Sequence, residues 1–255
     1  MNHTFSFARI KLLIIRYFTE NWRRDLVTLA GYFLILALLP RIKSFSFPQL
    51  PFILFCIVLF VGGIHFCAHI FHEIHRPSSG MHYLHIPASR LEKFLFNGAL
   101  TLLFFPILCF VLFYAANLFG NLIEPIMPSF LNYGTIDIST IFPYSYTGKM
   151  VEQFVLAQAI FFLGALVFKK HPTTKTIISL IAFGIVIGIV QMTLTQLLWS
   201  NSEVSTSLTF RGGILQIGED TFDSPFLECA SQICSYMVIL FLWVASYFKF
   251  KEKQV

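Results

Sequence analysis

Six of the chain's eight histidines fall between His65 and His85. The first four, His65, His69, His72 and His75, are spaced 4-3-3, which on an ideal helix confines them to an arc of roughly 120°. Cys67 and Glu73 stand among them, and His82 and His85 follow. Neutral imidazole suits zinc, copper or iron, and His at i and i+4 is a chelating geometry. One reading is therefore a membrane metal-binding enzyme built on the 65–85 stripe. Against it, only His3 and His171 remain elsewhere, and the local order H-E-I-H is not H-E-x-x-H. Four ligands on one helix cannot close around an ion without neighbours, and the other apolar segments offer only Glu152, Gln158 and Gln191. We therefore expect no metal site and no other cofactor, and read the histidines as the flank of a membrane helix.

The same stretch then turns a corner. Pro77 ends the helix, RPSSGMHY reads as a turn, and Ser89-x-x-Glu92 is a capping box that starts the next helix. Further along, Gly184, Gly188, Gln191 and Thr195 share one helical face, small at one end and polar at the other. Gly-x-x-x-Gly permits close helix approach, and amides cost free energy when they face lipid. This face, with Gln158, is a candidate for a transport path or for ordinary helix packing. Catalysis leaves no pattern: there is no G-x-S-x-G elbow, and the carboxylates are scattered through loops. No span carries a charge near its middle, which argues against an ion-coupled carrier.

The elements that hold these residues follow from composition. The chain has 255 residues, 56% of them hydrophobic and 12% charged, with a mean hydropathy of +0.72. Such a balance fits a bilayer better than water. Six apolar runs are long enough to span, at about 22–39, 51–71, 94–119, 151–168, 176–199 and 230–248. Ahead of them, residues 5–21 read as a helix lying in the interface, with Arg9, Arg16 and Arg23 on one face and Leu12, Leu13, Ile15 and Phe18 toward lipid. Fourteen of the 18 Lys and Arg fall on the side that holds both termini, so both termini are expected in the cytoplasm. The expected fold is an all-α integral membrane protein, one domain over 1–255.

The net charge of +5 is this topology signal, and nucleic acid is not an expected partner. No cleavable signal is visible, and the five cysteines suggest no disulfide framework. Two outer loops are long. The second contains SLTFRGGILQI, which reads as a hairpin around Gly212-Gly213.

Two blocks carry a resemblance. Tyr83, Leu84, Pro87, Ala88, Ser89, Glu92, Lys93 and Phe94 form the first; Gly164, Phe168, Lys169, Lys170, Lys175 and Thr176 form the second. They resemble a signature of uncharacterised bacterial six-span permeases of ABC-type exporters, type-2 class. The resemblance implies a permease subunit in the bacterial inner membrane that pairs with a like or unlike second permease. It also implies a separate ATPase, docked on a coupling segment at 72–93. In this chain that segment brings His72, Glu73, Arg76, Pro87, Ser89, Arg90, Glu92 and Lys93. The chain has no G-x-x-x-x-G-K-[ST] loop, so ATP hydrolysis is expected on another polypeptide. A membrane assembly or anchor protein that does not transport is the remaining alternative.

Overall fold

The computed structural model describes residues 7–42, 50–71, 88–123, 144–199, 209–211, 214–217, 220–223 and 225–253. Helices dominate: α1 (Phe7–Leu38), α2 (Leu50–Ile70), α3 (Arg90–Ala99), α4 (Phe105–Ile123), α5 (Tyr144–Val167), α6 (Pro172–Trp199) and α7 (Pro225–Lys253). A five-residue π-helical turn, Leu100–Phe104, joins α3 to α4, so Arg90–Ile123 forms one rod of 34 residues. Its cause lies two residues on. Pro106 has no N–H to give, and its ring would meet the carbonyl of the preceding turn. The widened turn closes instead with the Phe105 N–H donating to the Leu100 carbonyl.

Five of these rods are long and apolar enough to cross a membrane: Leu50–Ile70, Arg90–Ile123, Gly148–Val167, Pro172–Leu194 and Gln232–Glu252. Their dressing is that of a lipid-exposed protein. On α3, Glu92, Lys93 and Asn97 are buried while Leu91 and Leu95 are half exposed. Polar-in, apolar-out is the reverse of a helix on a water-soluble surface.

The expected division at residues 21–22 is not there. Residues 5–21 and 22–39 were read as an interfacial helix followed by a span, yet Phe7–Leu38 is one helix of 32 residues. At 1.5 Å per residue it is about 48 Å long, well beyond the roughly 30 Å of hydrocarbon. A change from an amphipathic, basic stretch to an apolar one does not break a helix. Glycine and proline do, and the first of either after Phe7 is Gly31. Leu12, Ile15 and Phe18 are exposed, as the interfacial picture expects, and of that set only Leu13 is buried.

The core forms two clusters. One gathers Leu36, Phe55, Leu59, Phe105 and Phe113 from α1, α2 and α4, with Phe154 of α5. The other gathers Phe71, Phe94, Phe162 and Phe250 with Trp243, from α2, α3, α5 and α7. Here Phe71 meets Phe162 edge-on at 4.6 Å and Phe94 meets Trp243 at 5.8 Å. α5 is central, touching α2, α6 and α7. Consecutive glycines on α2 serve two neighbours: a Cβ on Gly62 would crowd Phe105 and Tyr32, and one on Gly63 would collide with Gln158.

The segment between α6 and α7 holds three short antiparallel strands, β1 (Thr209–Arg211), β2 (Ile214–Ile217) and β3 (Asp220–Asp223), in the order β1-β2-β3. Arg211 pairs with Ile214, the pairing expected of a hairpin whose link is residues 212–213. The third strand was not anticipated.

Candidate functional site

The corner that starts α3 is built as its sequence requires. Ser89 is extended, the Glu92 N–H donates to Ser89 Oγ at 3.2 Å, and the Ser89 N–H donates to Glu92 Oε2 at 2.7 Å. The carboxylate has a second duty. Its Oε1 lies 3.6 Å from Arg9 of α1, with the Glu92 side chain fully buried and that of Arg9 29% exposed. Lys93, next to it in the chain, is buried. Of the expected coupling residues, then, Glu92 and Lys93 are interior, and Glu92 ties the start of α3 to α1. Arg90 is exposed and Ser89 half-buried. His72, Glu73, Arg76 and Pro87 lie outside the described residues.

The histidine stripe is represented by His65 and His69, whose rings stand edge-on at 6.5 Å; His72 and His75 lie outside the described residues. His69 is engaged. Arg24 NH1 lies 2.8 Å from its Nε2. A guanidinium only donates, so this nitrogen is the acceptor and the ring is the neutral tautomer protonated at Nδ1. The lone pair a metal would need is already taken, and a fixed cation sits beside it. Among the described residues no three His, Cys, Asp or Glu side chains gather as ligands.

Arg24 also donates to Asp25 Oδ1 through Nε at 3.1 Å and NH2 at 2.8 Å, and Tyr17 OH donates to Asp25 Oδ2 at 3.0 Å. The sequence places Arg23 on a basic face and does not single out this network. With α1 continuous, Arg24 and Asp25 fall near its midpoint. A charged pair inside an apolar helix was itself the available signal.

Two clefts flank Arg24 and His69. A small one of about 40 Å³ is lined by Arg16, Tyr17, Glu20, Asn21 and Asn97. A larger one of about 180 Å³ is lined by Leu29, Tyr32, Phe66, Phe104, Phe105 and Leu108.

A second buried cation holds the opposite end of the bundle. Arg41 is 1% exposed. It donates to the Ala37 carbonyl at 2.7 Å, the Asn117 carbonyl at 3.0 Å and Asn121 Oδ1 at 2.7 Å. The acceptors lie toward the C-terminal ends of α1 and α4, where the helix dipole is negative. Gly120 makes the slot, since any Cβ there would overlap the guanidinium. Nothing in the local sequence marks this staple, because its halves are 76 and 80 residues apart.

No family model, curated protein or solved structure matches this chain.

The candidate path residues are not brought together. Gln158 is 1% exposed and sits on α5 against Gly63 of α2. Gly184 and Gly188 lie on α6 with nothing within 4 Å of where a Cβ would be. Gln191 is on the same exposed helix, and the side chain of Thr195 lies outside the described residues. Neither amide atom of Gln158 finds a partner among the described residues. Such burial costs about 1–3 kcal/mol, so Gln158→Met, of similar length and without the amide, is expected to stabilise the protein by about 1–2 kcal/mol. Thermal unfolding in mild detergent reads this. A lower midpoint would show that the amide holds something its neighbours need.

Proposed function

We propose that the chain is the membrane-spanning permease subunit of an ATP-driven exporter of the ABC type. α1 would serve as a sixth crossing, with both termini in the cytoplasm of a bacterial cell and the membrane its inner one. The observation that best supports this reading is the inner corner. The capping box at Ser89 and Glu92 is complete, and Arg9 ties it to α1. A push delivered to residues 72–88 by a separate ATPase would therefore reach α1 and α3 together. The apolar α6, with its small-residue face, is available for a second permease subunit, alike or not.

The corner's burial changes which residue meets the ATPase. Arg90 is exposed and Glu92 is not, so Arg90 is the contact to alter. Co-expression with an ATP-binding subunit encoded beside this chain is expected to give a complex that hydrolyses ATP. Arg90→Glu is expected to lower ATPase recovery about tenfold, a loss of roughly 1.4 kcal/mol in binding, without moving the melting temperature. An intact complex with Arg90→Glu, or reporter tags that place residues 72–88 outside the cell, would end this reading.

A further inference from the structure

The two clefts beside α1 share Arg24 and His69 and otherwise divide by polarity. Three chain segments agree on their order. α1 lines the polar cleft with residues between 13 and 24 and the apolar one with residues between 18 and 32. α2 contributes 69–70 to the first and residues between 62 and 69 to the second. The α3–α4 rod contributes 96–97 and then residues between 104 and 108. The clefts thus lie end to end along the same three segments, a slot divided at Arg24 and His69, with more polar side chains in the first part and an apolar second part. The π turn supplies part of its apolar wall through Phe104.

Size and charge specify what fits. A cavity of about 150 Å³ lined by apolar side chains takes benzene, so 180 Å³ that is partly open takes the end of an alkyl chain. The other end is lined by two guanidinium groups, Arg16 and Arg24, against one carboxylate, Glu20, while Asp25 lines the apolar cleft. Arg16 gives its Nε to Glu20 at 2.8 Å, and Arg24 gives three donors to Asp25 and His69. A guanidinium has five N–H groups, so these bonds leave donors on both. Guanidinium groups favour carboxylate and phosphate.

We propose that this slot binds an amphipathic membrane molecule with an acyl chain and an anionic head. The chain lies in the apolar cleft among Leu29, Phe66, Phe105 and Leu108, and the carboxylate or phosphate lies at Arg16 and Arg24. The purified subunit suffices for this binding, with or without an ATPase.

The test is a titration of the full-length, delipidated protein in mild detergent, read by native mass spectrometry and by melting temperature. Oleate, dioleoyl phosphatidylglycerol and oleyl alcohol are added separately. One-to-one binding of oleate, of the phospholipid or of both is expected, with oleyl alcohol at least tenfold weaker. Binding of oleate alone assigns a free fatty acid, and binding of the phospholipid alone assigns a membrane lipid. Leu29→Trp fills the apolar cleft and is expected to weaken binding at least tenfold; Leu108→Trp does the same from the facing wall if the first variant fails to fold. Arg16→Gln is expected to weaken the anions several-fold and leave oleyl alcohol unchanged. No saturable binding to the natural protein, undiminished binding to a folded tryptophan variant, or equal affinity for the alcohol and the anions overturns the proposal.

Discussion

Replacing Arg41 with methionine is expected to lower the unfolding free energy by about 2–4 kcal/mol, read as thermal or denaturant unfolding in mild detergent. Two effects oppose each other. Burying a guanidinium is costly, and removing one returns that cost. The groups it serves, however, are the Ala37 and Asn117 carbonyls and the Asn121 amide oxygen. These remain when the arginine goes, and methionine donates nothing to them. Hydrogen bonds to charged groups contribute about 1.5–3 kcal/mol each, so the loss wins. Gly120→Val attacks the same staple from its other side by filling the guanidinium's slot. The double variant is expected to cost little more than the worse single one, because both remove one interaction. Fully additive effects, or an Arg41→Met protein that melts like the original, would show that the two helix ends are held by something else.

Glu92→Ala is expected to cost about 2–3 kcal/mol. It removes one half of the capping box and leaves Arg9 without this partner. Losing a helix cap costs about 1 kcal/mol. Breaking a fully buried ion pair costs about 3–5 kcal/mol, but Arg9 keeps partial access to water, so its share is smaller. Glu92→Gln separates the two contributions, since glutamine can complete a capping box while carrying no charge. It should fall between the original and Glu92→Ala. Hydrogen exchange gives the local readout: amides in the first turns of α1 should exchange faster in both variants, and more so in Glu92→Ala. Exchange confined to α3 would mean that the contact with Arg9 carries no mechanical load.

What the sequence revealed and what it hid divide by range. The apolar runs at 51–71, 94–119, 151–168, 176–199 and 230–248 each lie within or nearly within a helix, because composition over twenty residues reports on the surrounding solvent. The capping box was legible because both partners sit three residues apart, and the β1–β2 pairing because two glycines separate its strands. The continuity of α1 is hidden because residues 5–21 are amphipathic and 22–39 apolar, although no glycine or proline separates them. Arg41 with Asn117, and Gln158 with Gly63, could not be read at all. Each joins residues that only the completed bundle brings together, and a single chain contains no pattern that links them. The partner of His69 was equally hidden: Arg24 lies 45 residues earlier.

The π turn at Leu100–Phe104 splices two helical registers into one shaft. A regular helix advances about 100° per residue, so the extra residue offsets the bearing of Arg90–Ala99 from that of Phe105–Ile123 by about that angle. Glu92 meets Arg9 at one end of the shaft, and Arg41 donates to the Asn117 carbonyl at the other, with this offset between them. The rod is in effect a crank whose throw is set by where a proline interrupts its winding.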